Sequence, residues 1–142
     1  MKRLLLIATG GTIASKKTEN GLVPQINPEE ILSYVPEYDT ICAIDAIRIL
    51  NLDSTNIQPE DWVCIAEVVQ REYEHYDGFV ITHGTYTMAY TAAALSYLIQ
   101  NSQKPIVITG AQKPIDASIT DAKKNLLDSI RFASDSHVKG VY

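Results

Sequence analysis

The chain has 142 residues, 46% of them hydrophobic and 20% charged, which suits one soluble domain with a genuine core and leaves no room for two ordinary ones. A formal net charge of -5, spread without a basic stripe, argues against nucleic acid or an anionic membrane as the main partner. Cys42 and Cys64 have no CxxC spacing or neighbouring histidine and read as two reduced thiols of a cytoplasmic protein.

Met1-Lys2-Arg3 followed by Leu4-Leu5-Leu6-Ile7-Ala8 is too short an apolar run to span a membrane and lacks a cleavage site. It reads as a buried strand that runs into Thr9-Gly10-Gly11-Thr12. Ser15 to Gln25 is polar and turn-forming, and predicts a surface loop. Asn27-Pro28-Glu29-Glu30 then supplies an N-cap, a proline at the first helical position and acidic first-turn residues, so a short helix follows to about Tyr34. Ala43 to Leu50 predicts a second strand, and Gln58-Pro59-Glu60-Asp61 opens a long helix with Trp62, Ile65, Ala66, Val69 and Tyr73 at helical spacing.

Tyr76-Asp77-Gly78 ends that helix, and Phe79 to Thr82 predicts a third strand leading into His83-Gly84-Thr85-Tyr86-Thr87. An Ala-rich helix follows from Thr87 to about Gln100, with Met88, Ala92, Leu95 and Ile99 along one stripe. Ile106 to Thr109 is a fourth strand ending in Gly110-Ala111, Asp121 to Ala133 a last helix, and Val138 to Tyr142 the start of a further strand. This β-α-β alternation implies an α/β fold: a mostly parallel sheet with helices on both faces, of the three-layer Rossmann or flavodoxin-like kind. In such a sheet ligands bind outside the carboxyl ends of the strands, and that is where the two Gly/Thr-rich turns fall.

Taken singly, each motif has a plain reading. Gly10-Gly11 is an ordinary tight turn and lacks the glycine spacing of a dinucleotide fingerprint. Ser54 reads as a turn or cap residue before the helix at Pro59. Glu60 and Asp61 are first-turn helix charge, and Asp121, Lys123 and Lys124 form a solvated helix start.

In combination they are more specific. Thr9-Gly10-Gly11-Thr12-Ile13-Ala14 resembles the first signature of the bacterial-type L-asparaginases, and His83-Gly84-Thr85-Tyr86-Thr87-Met88 resembles the second. Asp53-Ser54-Thr55-Asn56 is similar to that family's substrate-binding turn, and Ile108-Thr109-Gly110-Ala111-Gln112-Lys113-Pro114 to its third strand end. The resemblance runs in register over all 142 residues and points to the cytoplasmic, type I-like members. It implies the N-terminal catalytic domain of an enzyme that hydrolyses L-asparagine to L-aspartate and ammonia without metal or cofactor.

By the same resemblance Thr12 is the nucleophile, carried on a flexible lid from about Ser15 to Gln25. Thr85 supports attack and proton transfer together with an aspartate and a lysine. Ser54 and Thr55 hold the substrate's α-carboxylate and neighbouring groups, and main-chain groups around Gly84, Thr85 and Ala111 bind the side-chain amide. His83 is a structural residue of its turn rather than a base. The expected partner is a small molecule, L-asparagine or L-glutamine, in a full-length homo-oligomer of two or four chains.

Three departures qualify this expectation. Tyr86 stands where the family has aspartate, and offers a neutral phenol with pKa about 10 in place of a carboxylate. The family's catalytic lysine and smaller C-terminal domain follow the strand that begins at Val138, so the 142 residues read as truncated. Leu22 stands near a lid tyrosine that orients the nucleophile in many members. The expectation is therefore weak or absent activity in this polypeptide by itself, and marginal stability or self-association. The competing expectation is a catalytically dead ligand-binding or interaction module that keeps the fold.

Overall fold

A computed structural model describes all 142 residues. Its centre is a five-stranded, wholly parallel sheet made of β1 (Arg3–Gly10), β4 (Ala43–Leu52), β5 (Gly78–Thr82), β6 (Pro105–Thr109) and β7 (Gly140–Val141), in the spatial order β4-β1-β5-β6-β7. Chain order reverses between β1 and β5, which makes this the flavodoxin-like winding with its switch point at the β1/β5 junction.

The three layers follow from the two-residue period of β1. Leu4 and Leu6 point to a core shared with α1 (Pro28–Ser33) and α4 (Ala122–Ala133), where Ile31, Leu126 and Ile130 are buried. Leu5 and Ile7 point to the other face, against α2 (Pro59–Glu72) and α3 (Met88–Leu98), where Ile65, Val69 and Leu95 are buried with Phe79. Helices thus cover both faces, as a parallel sheet requires, because each of its strands must bury both sides.

The helix starts behave as their residues dictate. The Asn27 side chain accepts the Glu30 N–H at 2.8 Å, with Pro28 in the first turn. Gln58 and Asp61 form a reciprocal cap at the start of α2, so the first-turn reading of Asp61 holds. Several boundaries differ from the expected ones. β4 runs to Leu52 rather than Leu50, and Pro36–Thr40 forms a short 3-10 turn with no sequence signal of its own.

The segment from Ser15 to Gln25 is a correction. It is not an open loop: β2 (Ser15–Thr18) and β3 (Gly21–Pro24) pair as an antiparallel hairpin. Glu19 and Asn20 keep negative φ while Gly21 takes φ +97°, the arrangement of a type I turn closed by a glycine bulge. The Thr18 hydroxyl donates to the Gly21 carbonyl and accepts the Asn20 N–H, which closes the turn. β2 is polar throughout and β3 carries Leu22 and Val23 side by side, both exposed, so neither strand shows an alternating pattern in the sequence.

β7 pairs with β6 as an edge strand, and Tyr142 continues the pairing with Ile106 and Ile108. No helix is long and apolar enough to cross a membrane. Both cysteines are free.

Candidate active site

The carboxyl ends of three neighbouring strands, β4, β1 and β5, meet in one cleft of about 230 Å³. Thr12, Ser54, Thr55, Gly84, Thr85 and Tyr86 all line it, with Gly11, Ser15, Asp53 and the hairpin residues Leu22 and Pro24. Ala111 does not. Its side chain is 2% exposed and packs in the core with residues of α1 and α4, which leaves only its main chain available to a ligand.

The turns come together because glycine lets backbone touch backbone. The register between β1 and β4 breaks after Ala8, and the Gly11 N–H reaches the Leu52 carbonyl at 2.9 Å. Gly11 has φ +79°, and a Cβ there would lie 2.4 Å from the Gly84 nitrogen. A Cβ on Gly84 would in turn meet Ser54 Oγ at 2.6 Å. Any side chain at either position would push the strand ends apart.

Cross-links then set each turn. β4 ends at Leu52, and the Asp53 carboxylate accepts both the backbone N–H and the hydroxyl of Thr55 at 2.9 Å, making a single helical turn over Ser54–Asn56. Ser54 is 3% exposed, and its Oγ accepts the Tyr86 N–H at 3.1 Å. The Thr87 hydroxyl donates to the Ser54 carbonyl at 2.8 Å. Ser54 is thus both the turn residue its plain reading gives and a hydroxyl at the cleft wall.

Tyr86 is 76% exposed, so its ring stands at the rim and its backbone, rather than its phenol, is what the fold uses. Leu22, 48% exposed, lines the opposite hairpin side. Asp53 carries the cleft's single carboxylate, and no lining residue is cationic.

Sequence reasoning missed a layer of support behind the cleft. Gln112 Nε2 donates to Thr85 Oγ1 at 3.3 Å. The Gln112 loop is pinned by Asp121, whose carboxylate accepts the Gln112 and Lys113 N–H groups at 2.9 and 3.1 Å, so the solvated-face reading of Asp121 is corrected. Burial alone would raise the Asp121 pKa, but those N–H donors outweigh it and hold the carboxyl below its usual value. Asn125 adds a bond to the Gly110 carbonyl at 3.0 Å. Gln112 belongs to the fourth turn motif, so its neighbourhood was legible, but its reach across to Thr85 was not.

A larger cavity, about 470 Å³, lies between α2 and α3 and shares no residue with this cleft. Its lining mixes apolar residues such as Val63 and Leu98 with Glu67 and Glu74, and it contains no hydroxyl nucleophile beside polar main-chain turns. Size favours that cavity, yet chemistry favours the smaller one, and a reaction needs convergent polar groups more than volume.

This is a doubly wound α/β domain whose hydroxyl-bearing cleft sits at the switch point of its sheet. Residues 3–142 match the family described as asparaginase, N-terminal, and the chain belongs to that family. It is 47% identical over 132 residues to the L-asparaginase of Thermococcus kodakarensis, covering 92% of this chain and 40% of that protein. It is 42% identical over 137 residues to a component of the glutamyl-tRNA(Gln) amidotransferase of Metallosphaera sedula, covering 94% of this chain and 31% of that protein. Among solved structures, the thermostable T. kodakarensis L-asparaginase superposes with a TM-score of 0.88 at 44% identity, over 99% of this chain and 43% of that one. L-asparaginase I of Vibrio cholerae gives 0.87 at 35% identity, again over 99% of this chain and 43% of that one. The chain therefore spans less than half the length of these relatives.

Proposed function

We propose that this domain carries the nucleophile half of an L-asparagine amidohydrolase. The supporting observation is that Thr12, Ser54 and Thr85, from three separate strand ends, line one small polar cleft. Thr12 Oγ1 attacks the side-chain carboxamide carbon, its proton passes to a base, and the base hands it to the amide nitrogen as the tetrahedral oxyanion collapses, so that the C–N bond breaks and ammonia leaves. Water then cleaves the acyl-threonine ester and yields L-aspartate. Ser54, Thr55 and main-chain groups of Gly84 and Thr85 hold the substrate, with Ala111 contributing through its backbone alone.

The 142-residue polypeptide by itself turns over slowly or not at all. Tyr86 gives the substrate ammonium no carboxylate, and a charge-assisted hydrogen bond of that kind is worth about 1.5–3 kcal/mol. The cleft lining also holds no lysine or histidine whose neutral nitrogen could take the Thr12 proton, and His83 behind it has both ring nitrogens engaged. A module that binds without turnover is the second reading, and Tyr86 is the residue that favours it. A relative acting on an amide carried by transfer RNA is the third; the M. sedula relative supports it, and the acidic charge opposes it.

Ammonia release from L-asparagine and L-glutamine, run beside calorimetric binding of L-aspartate, separates these readings. Slow release abolished by Thr12→Ala supports the hydrolase. Aspartate binding with no release supports the binding module. Failure of both overturns the cleft assignment. The partner that fits this reading is a small-molecule substrate, and the assembly a homo-oligomer.

A further inference from the structure

His83 is fully buried immediately behind the cleft, at 0% exposure, and the proposed hydrolysis makes no use of it. Its Nδ1 lies 2.6 Å from the carbonyl oxygen of Gly84. A carbonyl has no hydrogen to give, so Nδ1 carries the proton. On the other side Nε2 lies 2.8 Å from Thr91 Oγ1. That hydroxyl also accepts the Trp62 Nε1–H at 3.0 Å, and an indole nitrogen can only donate. The remaining Thr91 proton is then directed at Nε2, which accepts it as the bare nitrogen of a neutral ring.

One assignment satisfies every atom: Trp62 to Thr91 to His83 to the Gly84 carbonyl, three hydrogen bonds pointing the same way. An imidazolium would force the Thr91 hydroxyl to accept twice and leave its own proton unspent in a buried site. Burial lowers the His83 pKa, the Gly84 carbonyl partly opposes this, and no charged group acts on the ring. The ring therefore stays neutral at neutral pH.

The receiving end of this chain is the peptide between Gly84 and Thr85. A hydrogen bond accepted at a carbonyl polarises the same peptide's N–H, and aligned bonds strengthen one another. Here that N–H belongs to Thr85, which lines the cleft and donates to no acceptor within the protein. We propose that His83 is a positioning residue: as the Nδ1–H tautomer, set by Trp62 and Thr91, it fixes and polarises the Gly84–Thr85 peptide so that the Thr85 N–H is a strong donor to the ligand. The proposal rests on the cleft being the ligand site.

Long-range proton–nitrogen spectra of the 15N-labelled chain read the tautomer directly, with exposed His75 and His137 as internal comparison. The expected result is one neutral ring protonated at Nδ1; a ring protonated at Nε2, or charged at pH 7, overturns the relay. Two isosteres then separate positioning from filling space. His83→Asn keeps an N–H near the Nδ1 position, whereas His83→Gln places its amide near Nε2. Asparagine should hold the downfield Thr85 amide shift and keep L-aspartate affinity within about twofold. Glutamine should lose the shift and weaken affinity about tenfold, the size of one lost hydrogen bond.

Equal behaviour of the two variants overturns the proposal. If neither variant folds, the wild-type tautomer decides it alone. If the wild-type chain binds no aspartate, the function reading fails while the tautomer and the amide shift still judge the relay.

Discussion

The two turns that face each other across the cleft are built differently. The β5 turn, His83 to Thr87, is anchored through His83 to Thr91 and Trp62, and through Tyr86 and Thr87 to Ser54. The β1 turn leads instead into the β2–β3 hairpin. Two side-chain bonds tie that hairpin outward: the Lys16–Glu30 ion pair at 3.1 Å and Asn51 Nδ2 donating to the Pro24 carbonyl at 3.0 Å. The β5 wall is tied by a buried histidine network, whereas beyond the buried Ser15–Gly11 bond at its base the hairpin is held by part-buried and exposed bonds. Buried networks hold geometry, while thinly tied segments open at low free-energy cost, so under the proposed function the β5 wall would set the ligand's place and the hairpin would admit it.

The largest expected effect breaks the chemistry and spares both walls. Thr12→Ala should abolish any residual ammonia release, by about 10³-fold or more, with an unchanged melting temperature. Next, Gly84→Ala should spread the strand ends and cost about 3 kcal/mol, a fall on the order of 10 °C by calorimetry. A melting temperature equal to wild type would show that the walls are not packed backbone to backbone.

A pH titration sharpens the contrast. The folded-state pKa of His83 is depressed, so the unfolded chain binds more protons below its own value of about 6.5. Stability from this residue is complete above that pH and declines as pH falls through it, by at most about 1.4 kcal/mol per pH unit. Carboxylates with lowered pKa values, such as Asp121, lose their contribution only below about pH 4. Denaturation of wild type and His83→Asn from pH 7 to 5 should show a slope that the variant lacks.

Tyr86→Asp, tested in this same polypeptide, should raise turnover by less than about tenfold, because losses within one catalytic unit are non-additive. Near-normal turnover from that one change would contradict the need for a further proton-accepting group. The smallest effect is on the hairpin: Leu22→Tyr should leave stability within about 0.5 kcal/mol, since the side chain is half exposed.

Much of this was legible in the chain itself. The apolar runs of β1, β5 and β6 and the capping residues Asn27 and Asp61 predicted their elements, because burial on both faces and helix ends leave strong local signals. The four turn motifs carried the family. The hairpin was not legible, since neither strand alternates and its turn depends on one glycine. Nor were the roles of Asp121 and Thr91, because nothing local distinguishes a clamp from a solvated charge, or a buried hydrogen-bonded threonine from its helical neighbours.

Composition and periodicity determined a parallel α/β domain with hydroxyl-bearing turns at its strand ends, for those are properties of neighbours along the chain. The tertiary structure decided that β1 and β5 lie side by side with β4 beyond β1, and so which turns share a cleft. It also decided that Ala111 packs inward and that Trp62, Thr91, His83 and the Gly84 carbonyl line up within hydrogen-bond distance of one another. The reason is physical: hydrogen-bond direction and backbone approach depend on groups tens of residues apart, and no local pattern encodes where those groups meet.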